Sequence, residues 1–122
     1  MFTQPAVWQE PNQGAVWVYV ANDCTLTGYQ VVTDQQGNTL LSKAWELPIT
    51  TSSPLVAGGV LFAATNGALL GLDPLTGQQL WSSAKPGAAG PLGAIHWESP
   101  IVVGSKVYVP DETGALLAFG LG

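Results

Sequence analysis

Polar and turn-forming positions interrupt the apolar runs of this chain at short, regular intervals. In Val60-Leu61-Phe62-Ala63-Ala64-Thr65-Asn66-Gly67-Ala68-Leu69-Leu70-Gly71-Leu72-Asp73-Pro74-Leu75-Thr76-Gly77-Gln78-Gln79-Leu80-Trp81 two apolar runs meet at Asn-Gly, and a turn rich in Asp, Pro, Thr and Gly leads into a third run ending in Trp. Asn-Gly supplies the positive φ angles of a tight hairpin, so the stretch predicts three antiparallel strands in succession. No segment sustains the helical period of about 3.6 residues, and the many Gly and Pro would interrupt a long helix. The pattern predicts an all-β chain.

The same plan occurs three times. Residues 1–47 form a first unit with strands predicted over 5–8, 15–20, 25–32 and 40–45, separated by turns at 10–14, 22–23 and 34–37. Residues 48–91 form a second unit, with a strand over 53–56, a Gly58-Gly59 turn, the meander above, and a connector over 85–91 rich in Pro, Gly and Ala. Residues 92–122 begin a third unit, with strands over 99–103, 106–109 and 115–119 and a turn over 111–114, and supply no fourth strand. Aligning the units matches Pro5 with Pro54 and Pro100, Tyr19 with Phe62 and Tyr108, Leu26 with Leu69 and Leu116, and Tyr29 with Leu72 and Phe119. Self-similarity at a spacing of a few tens of residues marks a repeat architecture.

Composition narrows what the repeat can do. At 122 residues the prior is one domain, and with 47% apolar and only 9% charged residues there is little polar material to coat an open sheet. Most strands are therefore expected to pack on both faces. A net charge of -5, with no Arg in the sequence, repels phosphate backbones and argues against nucleic acid or an anionic membrane surface as partner. Cys24 is the only cysteine, so it makes no internal disulfide, and it reads as a small buried hydrophobe. Phe-Thr-Gln-Pro follows Met1 without a basic segment or long apolar core, so no signal peptide is read and no apolar run is long enough for a membrane span.

A four-stranded unit of roughly forty residues with Trp on its last strand is the signature of a β-propeller blade, whose sheets stack radially and bury each other's faces. Residues Gly67-Ala68-Leu69-Leu70-Gly71-Leu72-Asp73-Pro74-Leu75-Thr76-Gly77-Gln78-Gln79-Leu80-Trp81 resemble the repeat of the pyrroloquinoline-quinone-type β-propellers, which runs Gly-x-Leu-x-Ala-Leu-Asp, a Thr-Gly turn and a Leu-Trp strand. The first unit is a looser copy, with Tyr29-Gln30 in place of Leu-Asp. The resemblance implies a partial propeller of about three blades, the C-terminal part of a larger ring, with the outer strand of the final blade missing. It also implies a periplasmic or extracellular location. An open stack would leave two apolar blade faces and a strand edge exposed, which invites self-association.

Strand direction sorts the loops. Asn22, Asp23, Thr65, Asn66, His96, Trp97, Glu98, Asp111 and Glu112 are expected to gather at one end of the blades, and the turns at 34–37 and 73–77 at the other. His96-Trp97-Glu98 joins an acid-base side chain to an aromatic platform, as a sugar or aromatic ligand would require, which makes this end the candidate ligand-binding face. Asp111-Glu112 alone falls short of the six to eight oxygens that calcium takes. Asp73 and Gly77 read as turn-closing residues, and Trp45 and Trp81 as blade-to-blade packing. No zinc, phosphate-loop or Ser-His-Asp spacing is present.

Quinone-dependent enzymes of the resembled family hold a calcium with acidic and amide side chains and use a catalytic Asp, an Arg beside the quinone and commonly a vicinal disulfide. This chain has no Arg and one Cys, so its own residues do not complete that site. The expectation is a noncatalytic propeller segment that binds a protein or small ligand and acts as a scaffold, with no cofactor. The alternative is the remnant of a quinone-dependent dehydrogenase whose pyrroloquinoline quinone and calcium are bound by residues upstream.

Overall fold

The computed structural model describes residues 4–22, 24–65, 68–83, 100–103, 106–110 and 116–120. Three antiparallel sheets follow one another along the chain. The first contains β1 (Ala6–Gln9), β2 (Val16–Ala21), β3 (Leu26–Thr33) and β4 (Thr39–Leu47) in sequential order. The second repeats this order with β5 (Leu55–Ala57), β6 (Val60–Thr65), β7 (Ala68–Leu72) and β8 (Gln79–Ser82). The third has β9 (Ile101–Val103), β10 (Lys106–Pro110) and β11 (Leu116–Gly120), and there is no helix among the described residues. These are the eleven strands the pattern predicts, and the architecture is a partial β-propeller.

Strand register makes the repeat physical. One cross-strand row joins Ala6, Tyr19, Gly28 and Trp45 in the first blade, and its counterpart joins Leu55, Phe62, Gly71 and Trp81 in the second. The third blade carries Ile101, Tyr108 and Ala118 at the same places. A bulge follows this row in both complete blades, between Gly28 and Tyr29 and between Gly71 and Leu72. Such a bulge inserts one residue in the partner strand, here Ala44 or Leu80, and re-aims the neighbouring side chain.

Period-two alternation gives each sheet two faces. On the front of the first blade Trp17, Tyr19, Ala21, Leu26 and Trp45 pack against Leu61, Ala63 and Leu72 on the back of the second. On the front of the second, Phe62, Ala64 and Leu69 pack against Val107 and Val109 of the third. The middle sheet is therefore buried on both sides, which explains why β6 and β7 read as nearly continuous apolar runs. Ser52 and Ser83 are polar yet fit here because each extends a ladder. Each donates its N–H to a strand carbonyl, of Ala64 or Leu69, and accepts that residue's N–H on its hydroxyl.

The joint between the first two blades is also directional. The Tyr19 hydroxyl and the Trp45 indole Nε1–H both donate to the Pro74 carbonyl oxygen, each at 3.0 Å. Pro74 belongs to the β7–β8 turn, which Asp73 closes by accepting the Gly77 N–H on its carbonyl at 2.8 Å and the Leu75 N–H on its carboxylate at 2.9 Å. Trp45 fills the space a side chain would need at Gly28 in its own sheet and at Gly77 in the next. Trp81 departs from the expected packing role. It lies over Gly71 but is 40% exposed where Trp45 is 9%.

Two expected outcomes follow from this joint. Gly14 and Gly77 both have positive φ, +74° and +76°, but a Cβ at Gly14 meets nothing whereas one at Gly77 would sit 2.7 Å from Trp45 Cε3. Gly14→Ala should cost the left-handed penalty of about 1–2 kcal/mol, and Gly77→Ala about 1–3 kcal/mol more, in urea unfolding. Equal losses would show that the Trp45 contact is not tight. Burial, with the Asp73 carboxylate as a second cause, pushes the Tyr19 phenol above its usual range. The unfolded chain releases that proton near about pH 10 while the folded chain keeps it, so the stabilisation is complete below about pH 10 and declines as pH rises further. Tyr19→Phe should cost about 1 kcal/mol at neutral pH and flatten this alkaline decline in denaturation midpoints, whereas an unchanged alkaline slope would assign it to other groups.

Candidate functional site

Of the nine residues expected to line a ligand-binding face, Asn22 and Thr65 fall within the described structure. Asp23, Asn66, His96, Trp97, Glu98, Asp111 and Glu112 lie outside the described residues. Asn22 ends the β2 hairpin, and its Oδ1 accepts the N–H groups of Cys24 and Thr25 at 2.9 and 2.8 Å and the Thr25 hydroxyl at 3.1 Å. Thr65 donates its hydroxyl to the Ala68 carbonyl at 3.2 Å across the next hairpin. Both side chains close turns at the same end of neighbouring blades. Cys24, expected to be buried, is exposed in the Asn22 turn, because the turn lies past the end of the β2–β3 ladder.

The opposite end holds a cleft of about 310 Å³ lined by Glu10, Asn12, Gln13, Ala15, Trp17, Gln30 and Leu75. Its wall is the β1–β2 turn of the first blade, and Leu75 reaches in from the β7–β8 turn of the second. Glu10 is buried and folds back on its own turn, with its two carboxylate oxygens accepting the N–H groups of Asn12 at 2.8 Å and Gln13 at 2.6 Å. Glu10 N–H donates in turn to the Ala15 carbonyl, at 2.8 Å. With the carboxylate engaged in this way, the polar lining consists chiefly of neutral amides. Amides donate and accept hydrogen bonds without changing protonation, so the cleft is suited to holding hydroxyl or peptide groups rather than to proton transfer.

Sequence reading took residues 10–14 only as a turn and did not identify this cleft. Its far wall comes from residue 75 in another blade, and no local pattern records that proximity. A second hollow, of about 250 Å³, lies where the first strands of adjacent blades run side by side, between Pro5, Val7, Leu55 and Val56. Among the described residues no three His, Cys, Asp or Glu side chains come together as a metal site.

The β3–β4 hairpin is the other distinctive feature. β3 continues to Thr33, well beyond the Tyr19 row, whereas β7 stops at Leu72, one residue past its own row. The extension pairs Val31 with Leu41 and Val32 with Leu40, and a turn held by Asp34 closes it. Backbone N–H groups, foremost that of Asn38, hold the Asp34 carboxyl below its ordinary range. Leu40 and Leu41 are 48% and 55% exposed, although large aliphatic side chains usually find cover.

Comparison with known proteins bears on the whole chain. The family described as outer membrane protein assembly factor BamB matches residues 8–121. No curated protein sequence matches. Among solved structures, a crystal structure of BamB from Moraxella catarrhalis aligns at 17% identity with a TM-score of 0.45, covering 98% of this chain and 46% of that one. This chain thus spans less than half of that protein's length. With its blade rows aligned and nearly all of its residues matched, the chain belongs to the family of the outer membrane protein assembly factor BamB.

Proposed function

We propose that the chain is a noncatalytic propeller segment that binds a protein partner and serves as a scaffold in outer membrane protein assembly. The observation that carries this reading is the β3–β4 hairpin, which projects past its counterpart in the second blade and exposes Leu40 and Leu41. Apolar side chains raised on a hydrogen-bonded hairpin need little ordering to meet a partner, so their burial contributes to affinity with a small entropic cost. The family's printed description supports the same class of role. The compartment that accompanies it is the periplasm or the cell exterior.

Quinone chemistry fits this chain poorly. No Arg is available to lie beside a quinone, the single Cys24 makes no vicinal disulfide, and of the described acidic side chains Glu10, Asp34 and Asp73 are engaged in closing their own turns while Glu46 pairs with Lys43. No reaction step is therefore routed through these residues.

Fluorescence anisotropy with a labelled outer membrane polypeptide kept unfolded in dilute urea tests the reading. The unaltered chain is expected to bind, and a Leu40→Asp, Leu41→Asp double substitution to weaken binding about tenfold or more while leaving the unfolding midpoint nearly unchanged. Equal binding by both proteins would remove the hairpin from the interface. Stoichiometric uptake of added pyrroloquinoline quinone and calcium, followed by absorbance and dye reduction, would instead favour the dehydrogenase remnant.

A further inference from the structure

The first blade is longer than the second at the end where the β7–β8 turn lies. β3 runs on to Thr33 while β7 stops at Leu72, so the front of the first sheet continues past the place where the second sheet covers it. The cleft of about 310 Å³ occupies that step. Gln30 stands directly opposite Trp17 across the β2–β3 pair, and opposite residues of an antiparallel pair share a face, so an amide and an indole are set side by side. Asn12 and Gln13 line the cleft from the β1–β2 turn, and Leu75 lines it from the next blade. All of these residues lie in the two four-stranded blades.

The amides of this cleft are used differently from those that close turns. Gln9 donates its Nε2 to the Gly14 carbonyl at 3.4 Å, and Asn22 accepts the N–H groups of Cys24 and Thr25. Among the described residues the side-chain amides of Asn12, Gln13 and Gln30 have no hydrogen-bond partner. Gln30 is moreover half-buried, on a strand whose ladder needs only its backbone. Three amides thus bring three carbonyl acceptors and three NH2 donors to one small space. Each carboxylate oxygen of Glu10 accepts one backbone N–H and keeps a lone pair for a further donor.

We propose that this cleft binds a neutral saccharide of one or two pyranose rings. A sugar hydroxyl donates and accepts at once, and vicinal hydroxyls match the paired carbonyl and NH2 of a side-chain amide. The C–H face of a pyranose ring is apolar, as are the Trp17 indole and the Leu75 side chain beside the amides. An anionic ligand is disfavoured, because the Glu10 carboxylate lines the cleft and no cationic side chain does. The volume of about 310 Å³ lies at the lower end of the range for small-molecule sites, about 300–1,000 Å³. An extended polypeptide requires a sheet edge or a long groove, whereas here the β1–β2 turn and Leu75 wall the cleft on opposite sides. The site is separate from the exposed Leu40 and Leu41 and does not depend on a protein partner there.

Saturation-transfer difference NMR of the full chain with cellobiose and with N,N′-diacetylchitobiose, each followed by titration, tests the proposal. At least one of the two should bind with a Kd of about 1 mM. That affinity should hold between about 50 and about 500 mM salt, because no ion pair is formed. Gln30→Leu and Asn12→Ala should each weaken binding about fivefold, the loss expected for one hydrogen bond. The denaturation midpoint should stay unchanged, since neither side chain has an internal partner among the described residues. Absence of transfer to either sugar at about 20 mM overturns the proposal, as does binding that both substitutions leave intact. Affinity that falls steeply with salt overturns the neutral class of ligand. A neutral, blocked tetrapeptide measured in parallel decides between ligand classes. Should it bind in a Gln30-dependent way while neither sugar does, the cleft is a peptide site and the saccharide assignment falls.

Discussion

The carbonyl oxygen of Pro74 accepts two hydrogen bonds from the neighbouring blade, and the relation of one sheet to the next depends on it. Hydrophobic burial drives the sheets together but is non-directional, so Trp17, Leu26, Leu61 and Leu72 alone would tolerate sliding. A carbonyl with two lone pairs satisfied by the Tyr19 hydroxyl and the Trp45 indole does not. Sliding would strand three polar groups in a site where Tyr19 has no exposed surface, and each stranded group costs about 1–3 kcal/mol. Two small residues make the geometry possible, since Gly28 and Gly77 leave the indole room between the sheets.

That constraint organises the rest of the fold. Once Trp45 is seated on the 73–77 turn, the backs of β6 and β7 lie against the first blade and their fronts are presented to the third. The middle sheet can then dispense with polar cover, and serine hydroxyls complete its ladders where the strands end. The same seating brings Leu75 up to the β1–β2 turn and so creates the amide-lined cleft. It leaves the β3–β4 extension outside the blade interface, where Leu40 and Leu41 remain exposed.

Membership of the BamB family gives these surfaces a context. A propeller of this type presents rigid sheets with turns at either end, and recognition then depends on which side chains those turns and edges carry. Here the described polar side chains at the turns mostly hold backbone groups. Asn22, Asp34, Glu10 and Asp73 each cap their own turn, which stabilises the frame and leaves the apolar hairpin and the amide-lined cleft as the surfaces best suited to binding.

The order of strands and the rows that link the blades were legible in the sequence because both follow from local rules. Period-two alternation, turn residues and the recurrence of Tyr19, Phe62 and Tyr108 require only near neighbours along the chain. Whether a side chain at a repeated position is buried requires its neighbour in space. Trp45 and Trp81 occupy the same place in their strands and differ in exposure, 9% against 40%, and among the described residues it is Trp45 that seats on the 73–77 turn of the following sheet. Cys24 looks apolar by residue type yet is exposed, since its turn lies beyond the stacked faces. The lining of the cleft by Glu10 and Leu75 was likewise a tertiary outcome, set by a contact between residues whose separation along the chain carries no periodic signal.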